Sequence, residues 1–332
     1  MHQPPEYYIR LLLKEAEPLR VYTRPNPTVG AMLVSAGGQI LAKGFHQKYG
    51  QVHAEVNCLE RIERVPPDAV LYVTLEPCCH YGKTPPCTDL IIRKGVKRVV
   101  IGTVDSSSKV NGKGIKQLQE NGIQVSAGIA ESDCRFVNRV FFKNARYAMP
   151  YIALKTAVTA DGKMALPDGT SKWITGEDAR VRTHYYRSWY GAVAVGKQTY
   201  LADDPALDNR YLPDMPQPTS LVFWGSGVPL YQQRFFKSGA VSRIFIADDA
   251  DLPEAQAFAK FTGATLLSYK KGKRDLKQLF FRLYDMGIDS VMIEGGAALY
   301  ASVIRADCAD CVHVFMAPKL LGNREAIDWS GT

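Results

Sequence analysis

One stretch constrains this chain more than any other: His53-Ala54-Glu55, followed beyond an apolar segment by Pro77-Cys78-Cys79-His80-Tyr81-Gly82-Lys83-Thr84-Pro85-Pro86-Cys87. A metal ion that activates water needs three protein ligands of imidazole or thiolate type and a fourth position left open. His53, Cys78 and Cys87 supply such a set, and their chemistry implies Zn2+. The site also needs an acid/base that does not bind the metal. Glu55, two residues after the histidine, is placed for that role.

His-x-Glu followed by Pro-Cys and a further Cys is the arrangement of hydrolytic deaminases. Positions i and i+2 do not share a helix face. His53 and Glu55 therefore converge only at the start of a helix, expected over 54–62, that points into a pocket. On the other side Thr84 is expected as N-cap and Pro85 as the first helical residue, with Cys87 in the first turn of a helix running to Arg93. A helix N-terminus there favours a thiolate. Cys58 reads as a small buried apolar residue. Cys79 adjoins Cys78 and is not expected to reach the same ion. His80 lacks the glutamate partner that singles out His53.

At 332 residues the chain is long enough for two cores. No apolar run approaches the roughly 20 residues of a membrane span, and the N-terminus shows no leader, so no membrane partner and a cytoplasmic location are expected. Seven cysteines, an odd number, do not suggest a disulfide scaffold. The net charge of +8 suits anionic partners. The densest basic run, Lys270-Lys271-Gly272-Lys273-Arg274, reads as a solvated loop, so a phosphorylated small molecule is expected rather than nucleic acid.

Hydrophobic periodicity sets an opening helix over 5–19, then apolar strands at 31–34, 40–44, 70–74, 98–102 and 123–126 alternating with helices. That alternation implies an α/β layer with a parallel or mixed sheet, with the ligands at strand-to-helix junctions. A helix over 134–146 leads to Met149-Pro150, where the pattern begins afresh. Domains of 1–147 and 148–332 are expected. The second has strands at 151–157, 191–195, 220–223, 243–247, 290–293 and 312–316. Cys308-x-x-Cys311 has ligand spacing but no second pair, and reads as structural. Glu294-Gly295-Gly296 closes a strand and opens a helix over 297–304, a turn at which a phosphate can approach backbone N–H groups.

These residues resemble the bifunctional deaminase–reductase family of riboflavin biosynthesis. In the first domain the resemblance is carried by Asn26-Pro27-Thr28-Val29-Gly30, His53-Ala54-Glu55 and the run from Thr74 to Cys87, whose eight residues between the cysteines contrast with the Cys-x-x-Cys of cytidine and tRNA-adenosine deaminases. In the second it is carried by Asp161-Gly162-Lys163, Ser171-Lys172-Trp173-Ile174-Thr175, Leu201-Ala202-Asp203-Asp204-Pro205-Ala206-Leu207, Glu294-Gly295-Gly296 and Ala317-Pro318-Lys319-Leu320-Leu321-Gly322. The resemblance implies a cytidine-deaminase-like α/β/α domain followed by a dihydrofolate-reductase-like α/β domain.

It further implies zinc-dependent removal of the 2-amino group of a diaminopyrimidinone carrying a ribosylamino 5'-phosphate, with Glu55 moving the protons. NADPH-dependent reduction of the ribosyl to the ribityl side chain would follow. Asn26, His46, His80 and Lys83 would hold the first substrate. Lys155, Ser171, Arg187, Leu207, Arg210 and Glu294 would hold the second, and Ala157, Trp173, Thr199, Asp203, Gly295 and Gly296 the NADPH. A homo-oligomer, dimer or tetramer, is expected.

Departures from the family pattern are Asp105-Ser106-Ser107-Ser108 in place of Asp-Pro-Asn-Pro, and Trp224-Gly225-Ser226 in place of Asp-Ser. Relatives also usually continue beyond Leu321-Gly322 to a last strand, so either the chain is cut or the reductase domain is incomplete. Three alternatives remain on the residues: a nucleic-acid deaminase, a deaminase whose C-terminal half serves only assembly, and a closed zinc module with His80 or Cys79 as fourth ligand.

Overall fold

The computed structural model describes residues 3–82, 85–107, 110–167, 176–248, 250–269 and 275–329. Its contacts divide the chain into two units, Met1–Tyr147 and Ala148–Thr332.

The first unit runs α1 (Pro5–Ala16), α2 (Arg20–Thr23), β1 (Gly30–Val34), β2 (Ile40–Phe45), α3 (Ala54–Leu59), β3 (Val70–Leu75), α4 (Cys87–Arg93), β4 (Arg98–Thr103), α5 (Lys113–Glu120), β5 (Gln124–Ala127), α6 (Glu131–Val137) and α7 (Arg139–Tyr147). Its sheet has the order β2-β1-β3-β4-β5. β1 is antiparallel to β2 and β3, whereas β3, β4 and β5 are parallel. Ala31 and Leu33 of β1, with Leu71 and Val73 of β3, pack on Cys58, Leu59, Leu90 and Leu118 of α3, α4 and α5. Met32, Val34, Val70 and Tyr72 face the other way, onto Tyr8, Leu12 and Cys134 of α1 and α6. Strands buried on both faces require a helix layer on each side.

Several helix boundaries differ from the sequence reading; α3, expected over 54–62, ends at Leu59. α1 stops at Ala16 because Pro18 lacks the N–H that would continue it, and a single 3-10 turn follows. α4 starts at Cys87 with Pro86 as N-cap, since a residue followed by proline, as Pro85 is, disfavours the helical region; Thr84 lies outside the described residues. The helix expected over 134–146 is two helices broken at Asn138. The Asn138 side chain leaves for a tertiary task, accepting from Thr28 N at 2.7 Å and donating to Thr28 O at 3.0 Å.

The second unit runs β6 (Tyr151–Thr159), β7 (Lys163–Ala165), α8 (Glu177–Trp189), β8 (Ala192–Gly196), α9 (Lys197–Asp203), β9 (Thr219–Gly225), α10 (Gln233–Phe236), β10 (Arg243–Ala247), α11 (Pro253–Thr262), β11 (Thr265–Ser268), α12 (Leu276–Asp285), β12 (Ser290–Glu294), α13 (Ala297–Arg305), β13 (Cys311–Ala317) and β14 (Ile327–Asp328). Seven strands form a wholly parallel sheet in the order β11-β10-β9-β8-β12-β6-β13. Leu221, Ile244, Val291 and Ile293 pack on Leu279, Phe280 and Leu283 of α12. Trp224 and Phe245 meet an aromatic cluster with Tyr200 and Phe235. The chain builds outward from β8 to β11 and then returns to insert β12 between β8 and β6. Such a reversal opens a crevice at the carboxyl ends of the strands. Cys308 is buried in the core and Cys311 begins β13; neither joins a donor cluster among the described residues.

Candidate active sites

α3 lies directly on β2. A Cβ at Gly44 would meet Cys58 N at 2.3 Å and Ala54 O at 2.4 Å, so only glycine allows this approach. Asn57 Nδ2 secures it by donating to Phe45 O at 2.7 Å. His53 is the N-cap of α3, in extended conformation, and Glu55 sits in the first turn, so both side chains reach the same cavity. The turn after β3 brings in Cys78, and the start of α4 brings in Cys87. Thr88 ties these two together by donating from its N to Cys78 O at 3.2 Å.

His53 Nδ1 lies 3.5 Å from Cys78 Sγ and 3.3 Å from Cys87 Sγ. These three are the metal-capable group among the described residues, their donor atoms all within 4.8 Å of one another; neither Cys79 nor His80 belongs to it. The first N–H of α4, that of Cys87, points at Cys78 Sγ from 3.4 Å. The helix start therefore favours the thiolate of Cys78 rather than that of Cys87. The hydrogen bond between the two cysteine side chains is the largest influence pulling the Cys78 thiol down to about 4, and the same side-chain bond together with burial pushes Cys87 up. One imidazole nitrogen and two converging sulfurs make a donor set that fits zinc with a position open.

Glu55 is 3 % exposed. Burial, and next the charge on Cys78, push its carboxyl up to about 7, with His53 opposing. A carboxyl titrating near neutrality both accepts and returns a proton. The cavity, of about 420 Å³, is lined by Asn26, His46, His53, Glu55, His80 and Asp105 among others. His46 bonds Val52 O through Nδ1 at 3.1 Å, and its Nε2 lies 3.2 Å from Asn26 Nδ2. With the Nδ1 proton on Val52 O, Nε2 accepts from Asn26. His80 Nδ1 is buried and unpaired. Lys83 lies outside the described residues. Asp105, buried at the cavity wall, was not singled out as a site residue; in sequence it is one acidic residue in a polar loop.

In the second unit a cavity of about 440 Å³ lies where β12 enters the sheet. Lys155, Ala157, Thr199, Asp203, Glu294, Gly295 and Gly296 all line it. The two glycines have φ of 99° and 92°, and a Cβ on Gly295 would meet Thr199 Cγ2 at 3.2 Å, so the turn both needs glycine and leaves its backbone open to a ligand. Gly295 N is held by Tyr300 Oη at 2.5 Å, and the same hydroxyl donates to Lys155 O.

Arg187 is buried and committed to protein acceptors. Its Nε and Nη2 bond the two Glu294 oxygens at 2.7 and 2.8 Å, and its Nη1 donates to Asp208 O at 2.8 Å. Burial pushes Glu294 up, but the Arg187 charge and bonds outweigh it and hold the carboxyl below its usual range. Burial lowers the Lys155 ammonium, against the pull of Glu294. Arg210 pairs with Asp208 at 2.6 Å, and Leu207 is buried with a φ of 51°; neither lines the cavity. Ser171 and Trp173 lie outside the described residues. His184 was missed: it is buried one turn before Arg187, its ring tilted at 52° against Tyr211 at 4.6 Å between ring centres, with Nδ1 unpaired. A histidine amid an aromatic run gives no sequence signal.

Fold and sites together define a bifunctional enzyme, a zinc-type nucleobase deaminase joined to a nucleotide-dependent reductase. Residues 2–103 match the cytidine and deoxycytidylate deaminase zinc-binding region, and residues 150–331 match the RibD C-terminal domain. The riboflavin biosynthesis protein RibD of Actinobacillus pleuropneumoniae is 39 % identical over 321 residues, 96 % of this chain and 85 % of that protein. That of Aquifex aeolicus is 39 % identical over 316 residues, 95 % of this chain and 87 % of its own. The diaminohydroxyphosphoribosylaminopyrimidine deaminase/5-amino-6-(5-phosphoribosylamino)uracil reductase of Thermotoga maritima superposes with a TM-score of 0.83 at 34 % identity, covering 98 % of this chain and 90 % of that one. Acinetobacter baumannii RibD reaches 0.86 at 33 %, covering 99 % and 90 %. The chain belongs to the RibD family of riboflavin biosynthesis proteins.

Proposed function

We propose that His53, Cys78 and Cys87 hold the zinc and that Glu55 is the proton carrier for deamination of 2,5-diamino-6-(5-phosphoribosylamino)pyrimidin-4(3H)-one. The observation that carries this reading is the convergence of three donor atoms beside one buried, raised carboxyl in a single cavity. When bound, zinc lowers the pKa of a water molecule and so supplies the nucleophile. Glu55 would take the first proton released by that water and deliver it to the ring nitrogen, then carry the second, from the added hydroxyl, to the departing amine. Asn26, His46 and His80 bind the pyrimidine and ribose edges, and Lys83 the phosphate. The surrounding apolar wall excludes competing water.

In the second unit the same proposal assigns Lys155, Ser171 and Glu294 to the ribosylamino phosphate; Arg187, Leu207 and Arg210 are assigned to it on the family resemblance alone, since Arg187 is bonded to Glu294 and Asp208 O and none of the three lines this cavity. Ala157, Trp173, Thr199, Asp203 and the Gly295-Gly296 turn bind NADPH, which supplies the hydride when bound. The position of Thr199 and both glycines on the cavity lining supports this cofactor placement. The Arg187–Glu294 pair fixes the wall against which the sugar is held, and Lys155, partly stripped of hydration, serves as its proton donor. The boundary between the activities is placed between residues 147 and 148.

No helix among the described residues is long and apolar enough to cross a membrane. None of the seven cysteines is joined in a disulfide, and two of them act as ligands in this reading, which suits a reducing cytoplasm. Val312, Val314 and Met316, exposed along the edge strand β13, support assembly as a dimer or tetramer, which light scattering tests. The decisive experiment follows ultraviolet absorbance and NADPH oxidation together on the diaminopyrimidinone substrate. A spectral shift with NADPH consumption is the expected result. A shift without it removes the reductase assignment, and no shift removes the deaminase assignment.

A further inference from the structure

We propose that Glu76, which is neither a metal ligand nor a proton carrier, is a positioning residue for deamination. Its carboxylate ties the backbone of Asp105 and Gly112 and the first turn of α5 to the turn that presents Cys78, and thereby sets one wall of the substrate cavity. The proposal rests on the deaminase reading of the first unit.

Glu76 is 4 % exposed and accepts four backbone hydrogen bonds. Oε2 takes Asp105 N at 3.1 Å and Gly112 N at 2.9 Å. Oε1 takes Gly114 N at 2.9 Å and Ile115 N at 3.2 Å. A helix normally has these first N–H groups satisfied by the side chain of its own N-cap residue. The N-cap of α5 is Gly112, which has no side chain to offer. Glu76 does that work from another element, and its negative charge complements the positive end of the helix.

The helix start is pressed against the metal-side turn. A Cβ on Gly114 would meet Pro77 O at 2.2 Å, so glycine alone lets α5 sit there. A second tie runs from the other cysteine: Thr88 Oγ1 donates to Gln117 Oε1 at 2.8 Å, and Gln117 Nε2 donates to Asp89 Oδ1 at 2.9 Å. α5 is thus a brace between the Cys78 turn and the Cys87 helix. The loop it anchors contributes Asp105, Ser107 and Val110 to the cavity.

The test is Glu76→Gln in the full-length, zinc-loaded protein. The amide has nearly the same shape, but its NH2 faces N–H groups that need acceptors. The expected result is unchanged zinc content and unchanged NADPH-dependent reduction of the deaminated intermediate. KM for the diaminopyrimidinone rises about tenfold or more, and kcat falls less than about threefold. Amide hydrogen exchange accelerates at Gly112, Gly114 and Ile115 while the later turns of α5 keep their protection. Glu76→Asp keeps the charge but reaches less far, and its KM is expected to fall between the two. A Glu76→Gln protein with parental KM and exchange overturns the proposal. So does loss of zinc, which would make Glu76 a support of the metal turn instead. A parent protein without deamination sinks the deaminase reading itself, and the exchange pattern then judges the tether alone.

Discussion

In the first unit His53 Nδ1 lies 3.5 Å from Cys78 Sγ and 3.3 Å from Cys87 Sγ, whereas in the second Arg187 and Glu294 neutralise each other through two bonds of 2.7 and 2.8 Å. The first cavity is arranged around donors that only a cation satisfies together. The second is arranged around charges the protein has already paired. Chemistry in the first depends on what is added to it, so its walls are held by groups that stay out of the reaction, such as Glu76 and Asn57. In the second, the residues that shape the wall also hold its charge balance, so stability and function are expected to fail together.

The sharpest way to break this contrast is at Glu55. Glu55→Gln is expected to keep zinc, measured by metal analysis, and to lose about 10²- to 10⁴-fold in deamination rate with reduction untouched. Cys87→Ala is expected to lose zinc and deamination together. A Glu55→Gln protein that deaminates normally would refute the role assigned to that carboxyl.

Next in size is Glu294→Ala, which leaves the Arg187 guanidinium buried without its partner; side-chain exposure in the pair is 10 % and 11 %. A cost of about 3–5 kcal/mol to the second unit is expected, with reduction lost and the first unit's zinc content unchanged, as read by denaturant unfolding and metal analysis. An intact second unit that merely binds substrate less well would show that the pair is not structural.

His184 gives a pH test. Burial, then the charges of Arg187 and Arg210, lower its imidazole to about 4. The folded state therefore favours neutral histidine while the unfolded chain takes up a proton below about 6.5. The resulting stability is fully present above that value and is lost as pH falls toward about 4. Its full extent is at most about 3 kcal/mol. Unfolding curves from pH 7 to 4 are expected to lose that part of their slope in His184→Gln.

The smallest effect sharpens the cofactor side. Gly296 has a φ of 92°. Gly296→Ala is expected to cost about 1–2 kcal/mol, seen as a roughly tenfold weaker NADPH affinity in a fluorescence titration. The deaminase constants are expected not to change.

Much of the first site was legible because its residues lie on one short stretch and their types are chemically narrow. His53, Cys78 and Cys87 meet at the places where strand gives way to helix, and the structure brings their atoms together. The second site was legible only through resemblance. Lys155 and Glu294 lie far apart in sequence and touch one cavity because β12 returns to pair with β6. Arg187 was read as a phosphate holder, and nothing local announced that its nitrogens are turned to Glu294 and Asp208 O. The role of Glu76 was equally hidden, since its four donors lie 29 to 39 residues away.

Sequence alone determined the α/β alternation, the restart of the pattern near Met149 and the metal-ligating chemistry. These follow from side-chain period and ligand type, which are local properties. Tertiary structure decided which helix face meets which strand, that α5 is capped by a carboxylate from β3's end, that Asn138 splits one expected helix into two, and that the second cavity's charges are paired. Each depends on atoms distant in sequence becoming neighbours only when the sheets close, and burial then changes what those atoms can hold.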